Sequence, residues 1–82
     1  MNSYTANIKI TLRSGILDVQ GKTVEKALHS IGYNSINNVR IGKYVTLTVE
    51  ADSMDDAKII IDNACKELIA NPIIEDYFIT IG

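Results

Sequence analysis

The chain reads as an α+β domain, a two-layer sandwich of element order β-α-β-α-β with both helices on one face of a largely antiparallel sheet, and three observations predict it. Apolar and polar residues alternate strictly from Tyr4 to Arg13. Two segments, around Val24 to Ile31 and Ala57 to Leu68, repeat apolar residues at helical spacing. A long run from Val39 to Val49 keeps its odd positions apolar except at Lys43. Alternation of period two marks a half-buried strand and the i, i+3, i+4, i+7 pattern marks a helix with one apolar stripe.

The first strand places Tyr4, Ala6, Ile8, Ile10 and Leu12 on one face and Thr5, Asn7, Lys9, Thr11 and Arg13 on the other. Ser14-Gly15 interrupts it. Val24, Ala27, Leu28 and Ile31 then form the stripe of a first helix that Asp18 caps and Gly32 ends, the carboxylate accepting free first-turn N–H groups and the glycine supplying a left-handed residue.

The run from about Asn37 to Ala51 reads as one long, bent central strand. A two-residue hairpin at Gly42-Lys43 would send Val45, Leu47 and Val49 to the face opposite Ile41, so parity argues against it. A three-residue loop at Gly42-Lys43-Tyr44 preserves parity and leaves open a split strand and a conventional four-stranded, ferredoxin-like sheet. At roughly 3.3 Å per residue the unbroken strand would reach about 50 Å, more than a small globule covers, which implies a partner.

Ser53 and Asp56 resemble a capping box for the second helix, and Asp55 adds a second acid to its first turn. Ala57, Ile60, Ile61, Ala64 and Leu68 form the expected stripe, with Lys66 near the negative end of the dipole and Asn71-Pro72 as the stop. The last strand runs from Ile73 or Ile74 to Ile81, with Ile73, Tyr77, Ile79 and Ile81 facing inward and Glu75 as the exception.

Eighty-two residues without repeats or a linker suggest a single domain, 1–82, whose own core is marginal. A net charge of −2 with 46% hydrophobic and 22% charged residues fits an ordinary globular protein. It gives no electrostatic footprint for nucleic acid or for an anionic membrane. The single Cys65 excludes an internal disulfide, and the N-terminus lacks the pattern of a secretory signal, so a cytoplasmic location is expected.

Catalytic chemistry is hard to assemble from one His, one Cys and no clustered carboxylates. The same inventory cannot supply a closed zinc site. Glu75 and Asp76 are adjacent and therefore point to opposite faces of a strand. Val19-Gln20-Gly21 is similar to the phosphate loop of acylphosphatases, but Glu25 stands where that family needs arginine.

Four segments in order, Leu17-Asp18-Val19-Gln20-Gly21-Lys22, Ala27-Leu28-His29, Asn38-Val39-Arg40-Ile41-Gly42-Lys43-Tyr44 and Leu68 through Tyr77, resemble PurS, the small-subunit family of phosphoribosylformylglycinamidine (FGAM) synthase. Val19 departs from the proline many members carry there. The resemblance implies a non-catalytic subunit of an ATP-dependent ligase in de novo purine biosynthesis. Such a subunit is inactive alone and forms a homodimer or higher oligomer. It bridges a PurL-type synthetase subunit, which uses ATP and Mg2+, and a PurQ-type glutaminase subunit, coupling glutamine-derived ammonia to amidine formation.

His29, Arg40, Lys43 and Asn71 match family motif positions and are the partner-contact candidates, with no catalytic, cofactor or metal residue in the chain itself. Gly21 and Gly42 read as backbone accommodations. The competing reading is an ACT-like regulatory module binding a small molecule around Ser14, Gly15 and Asp18. An RNA-binding module would need stacking aromatics and a basic surface, whereas only Tyr44 is suitably placed on the central strand and the chain is acidic.

Overall fold

Five regular elements follow one another in the structure, a computed structural model describing residues 1–82. They are β1 (Asn2–Leu12), α1 (Val19–Ser30), β2 (Lys43–Ala51), α2 (Met54–Ala64) and β3 (Glu75–Ile81). The last strand begins at Glu75 and not at Ile73 or Ile74, because the N–H groups of Ile74 and Glu75 close a turn on Asn71 O, and Ile73, expected to face inward, is exposed. The strands form one antiparallel sheet of order β2-β1-β3. Register matches the alternation, with Ile8 opposite Val45 on one side and Ile79 on the other. The apolar face of this sheet packs on α2, and Ala6, Ile8, Ile10 and Val49 meet Ala57, Ile61 and Cys65 in the core.

The expected long central strand is corrected in two respects. The central strand is β1, and β2 lies at an edge. It also begins only at Lys43, so Asn37–Gly42 belongs neither to a longer strand nor to a hairpin. The reason is a competition for backbone donors. The N–H of Val39 donates to Glu25 Oε1 at 3.0 Å and that of Ile41 to Asp18 Oδ2 at 2.7 Å, so side chains near α1 satisfy donors that a strand ladder would otherwise take. Asn38, at φ 59°, kinks the chain into the left-handed region just before this segment docks.

Only α2 covers the sheet, whereas the two-layer expectation placed both helices on it. α1 buries Gly21 alone and leaves Val24 and Ile31 exposed, so it projects as an arm from the end of the sheet. The Cα trace accordingly spans 52 × 24 × 14 Å. With 12 of 82 residues buried, the chain has too little interior to be robust alone, which is the condition oligomerisation relieves.

Both caps form as expected. Asp18 Oδ1 accepts from the N–H of Gly21 at 2.8 Å, and Ser53 Oγ accepts from that of Asp56 at 3.1 Å. Gly32, at φ 101°, follows α1. The expected stripe of α2 fails at its end. Residues Cys65–Ile69 form a π-helical turn closed by the Ala70 N–H on Cys65 O at 2.9 Å. Its wider winding shifts the phase, burying Cys65 and Ala70 while Leu68 turns out to 87% exposure; Ile60 is exposed as well.

A side-chain clamp ties this turn region to β3. Tyr77 Oη donates to Asp62 Oδ1 at 2.6 Å, and Lys66 Nζ lies 3.0 Å from the other oxygen. The bond to Asp62, reinforced by burial, pushes the Tyr77 phenol up to about 12. Because the folded-state value is raised, the clamp is intact below the ordinary tyrosine range near 10 and is lost as pH rises through about 12. An alkaline absorbance titration at the tyrosinate band is expected to show one component near 12 that Tyr77→Phe removes. Persistence of that component in the variant would show that another tyrosine carries it.

Candidate partner-contact site

Three of the four residues singled out by sequence converge where the arm meets the sheet. Arg40 Nη2 donates to Leu12 O at 2.8 Å and to Arg13 O at 3.4 Å, capping carbonyls at the exit of β1. Lys43 Nζ sits 3.4 Å from Glu75 Oε2. The Asn71 N–H donates to Glu75 Oε1 at 2.7 Å, while Asn71 Oδ1 accepts from the Ile73 N–H at 3.1 Å and shapes the turn around Pro72. Lys43 and Asn71 therefore meet on one carboxylate. His29 stands apart at the far end of α1, its Nε2 2.7 Å from Ile36 O.

The organising residues are ones that sequence reasoning undervalued. Glu75 is the inner-face exception on β3 and Lys43 the exception on β2, and the two breaks in the apolar pattern answer each other across β1. That mutual exception was the available signal. The sequence marks Asp18 as a helix cap and as part of the alternative ligand site, yet its second oxygen holds the Ile41 N–H, so one carboxylate fastens both ends of the arm. The two backbone hydrogen bonds, first from Gly21 and then from Ile41, hold its carboxyl below the ordinary aspartate value against the opposing effect of burial. Glu25, noted only as the wrong charge for a phosphate loop, anchors Val39; that bond likewise lowers its pKa. Arg13 completes the cluster through Asp76 at 3.3 Å.

Both glycines assigned to backbone accommodation serve that purpose. A Cβ on Gly21 would sit 2.3 Å from Val39 O, and one on Gly42 would sit 2.7 Å from Ile10 O. A cleft of about 140 Å³ remains between the arm and the sheet, lined by Ile10, Asp18, Gln20, Ile41, Lys43 and Glu75. Its carboxylates are engaged by the chain itself. This disfavours the ACT-like reading, since the Asp18 oxygens offered to a ligand there are filled by Gly21 and Ile41 N–H groups. No three His, Cys, Asp or Glu side chains converge as a metal site, and no helix is long and apolar enough to cross a membrane.

Both the sequence and the fold of the chain have known counterparts. Residues 5–82 match the family model PurS: Phosphoribosylformylglycinamidine (FGAM) synthase. The PurS subunit of Bacillus subtilis (strain 168) is 42% identical over 74 residues, covering 90% of this chain and 87% of the relative. That of Methanocaldococcus jannaschii is 33% identical, covering 95% and 94%. Among solved structures, B. subtilis PurS in its C2 crystal form superposes with a TM-score of 0.88 at 40% identity, covering 96% of this chain and 98% of that one. The structure of PurLQS from Thermotoga maritima contains a chain that superposes with a TM-score of 0.90 at 32% identity, over 100% of both chains. Sequence and fold together place this protein in one family: the chain belongs to PurS, the small-subunit family of FGAM synthase.

Proposed function

We propose that this chain is the non-catalytic small subunit of a glutamine-dependent FGAM synthase, acting as one domain in the cytoplasm. It dimerises and bridges a PurL-type synthetase, which supplies the ATP and Mg2+ chemistry, and a PurQ-type glutaminase. The observation that carries the reading is its full-length superposition on a chain of PurLQS. The arm is consistent with it: an exposed, amphipathic helix fastened at its root by the Asp18 carboxylate suits assembly better than catalysis. His29, Arg40, Lys43 and Asn71 are proposed as residues that shape or meet the partner surface. Arg40 spends one terminal nitrogen on Leu12 and Arg13 carbonyls, leaving the rest of its guanidinium for a partner carboxylate.

The test is reconstitution of synthetase and glutaminase with and without this chain, using glutamine and then ammonium as nitrogen source. The glutamine-dependent rate is expected to require the chain and the ammonium-dependent rate to persist without it. Arg40→Ala is expected to reduce only the former. If neither rate responds to the chain, the coupling role is wrong; if Arg40→Ala behaves as wild type, the contact assignment for Arg40 is.

A further inference from the structure

Two aliphatic side chains on the connection from α2 to β3 stand in solvent more fully than any other large apolar residue except Met1. Leu68 is 87% exposed and Ile73 81%. Neither is loosely held. Leu68 sits on the π-helical turn Cys65–Ile69, whose flanks Cys65 and Ala70 are buried and joined by a backbone hydrogen bond of 2.9 Å. Ile73 rides a turn that Asn71 fixes with its carbonyl, its side chain and its N–H. Asn71 O accepts from the Ile74 and Glu75 N–H groups at 3.1 and 2.7 Å, Asn71 Oδ1 accepts from the Ile73 N–H at 3.1 Å, and Glu75 Oε1 accepts from the Asn71 N–H at 2.7 Å. Pro72, itself exposed, stiffens the same turn because its ring locks φ.

Charges flank this pair with a definite polarity. On the Ile73 side, the Arg13 N–H bonds to Ile74 O at 2.8 Å and Arg40 Nη2 reaches Arg13 O at 3.4 Å, which gathers two arginines beside the turn. Arg13 gives Nε to Asp76 at 3.3 Å, and Arg40 gives one terminal nitrogen to backbone carbonyls, so both keep terminal N–H groups free. The adjoining Glu75 carboxylate is occupied by Lys43 and Asn71. On the Leu68 side, Lys66 is engaged by Asp62 at 3.0 Å, whereas Glu67 is exposed and has no ion-pair partner in the chain.

We infer that Leu68 and Ile73 anchor a docking surface for another subunit of the synthase, seating in an apolar pocket that sets a carboxylate toward Arg13 and Arg40 and a basic group toward Glu67. The inference rests on the assembly role proposed above and adds the surface and the chemistry of what covers it. An apolar centre with a charged rim is the ordinary anatomy of a protein interface, and the opposite signs at the two ends admit one orientation of the partner. Anchors already held in place by the turn and the π-helical winding lose little conformational freedom on docking. Irregular π-helical turns also concentrate at functional sites. Shape excludes a second copy at this patch. None of the clefts in the chain is lined by Leu68, Pro72 or Ile73, so two copies meeting here would set one projection against another.

Binding kinetics of the chain against the synthetase and the glutaminase, singly and mixed, test the surface. L68S/I73S is expected to keep the wild-type urea midpoint, since both side chains are exposed, and to dissociate from one of the two subunits about tenfold faster or more. Glu67→Lys is expected instead to slow association and alter its salt dependence, as a rim charge does. Phe78→Ser is the control: it removes a side chain 63% exposed on the sheet face turned away from α2 and is expected to bind as wild type does. Wild-type kinetics for L68S/I73S with both subunits, or an equal loss in Phe78→Ser, overturns the surface, while glutamine coupling by the wild-type chain leaves the function proposed above standing. A lower mass of the free L68S/I73S chain by light scattering would mean that copies meet there and overturns it as well. A wild-type chain that binds neither subunit, singly or mixed, overturns both readings.

Discussion

Ile61→Ala is expected to destabilise the chain by about 3–5 kcal/mol, the upper range for deleting a buried aliphatic side chain, whereas Leu68→Ala is expected to change stability by less than about 0.5 kcal/mol. Sequence periodicity puts the two residues on one stripe of one helix. The structure separates them: Ile61 is 1% exposed in the centre of the core, and Leu68 is 87% exposed beyond the start of the π-helical turn. Ile61 meets the sheet where the core contains only nine buried residues, several of them alanines, so few neighbours can move to fill the space. A small domain holds only about 5–15 kcal/mol in reserve, and the loss approaches the lower end of that range. Urea midpoints measured at one protein concentration, because association adds to apparent stability, are the appropriate comparison. Equal losses for the two variants would mean that α2 continues as an unbroken α-helix and that Leu68 packs inward.

Much of this architecture is legible in the chain because short-range rules dominate where they agree with one another. Alternation fixes β1 and the inward face of β2, and the Asp18 and Ser53 caps are local chemistry that any helix start of this composition would form. What escapes is nonlocal. Nothing in the alternation of Val39 and Ile41 says that their N–H groups will be taken by Glu25 and Asp18 instead of a neighbouring strand, since the acceptors lie far away in sequence. The position of β2 at an edge is likewise a matter of pairing, which periodicity does not encode. The π-helical turn escapes because a phase shift of one residue is visible only once Cys65 and Ala70 are seen to be buried and Leu68 is not. Of the candidate site, the motif positions Arg40, Lys43 and Asn71 are legible in the sequence, but the Glu75 carboxylate on which two of them meet is not. Glu75 looked like a pattern break, and its meaning emerges only beside the Lys43 break two strands away.

Gly21→Ala is expected to release the arm from its root at a cost of about 3 kcal/mol, the upper range for overpacking a rigid site. The reason is the nature of the obstacle. The added methyl would meet the Val39 carbonyl oxygen at 2.3 Å and Asp18 Oδ2 at 2.7 Å, a backbone atom and a carboxylate that already holds the Gly21 and Ile41 N–H groups. Neither can swing aside without breaking the hydrogen bonds that Asp18 makes to Gly21 and Ile41. Gly32→Ala is the control: its Cβ meets nothing, and only the left-handed φ of 101° opposes it, at about 1 kcal/mol. Hydrogen exchange locates the damage, with Val39 and Ile41 amides expected to lose protection in Gly21→Ala while the β1 amides paired with β2 keep theirs. The wild-type anchorage of Val39 and Ile41 on Glu25 and Asp18 is expected to respond to acid in the same way. Both Asp18 and Glu25 have folded-state pKa values depressed below the ordinary 3.8 and 4.5, chiefly by the backbone N–H groups they hold. Their contribution is therefore complete above those ordinary values and is lost as pH falls through the lower folded-state ones. Protection of Val39 and Ile41 that survives both the methyl group and the acid titration would mean that something other than these carboxylates holds the arm.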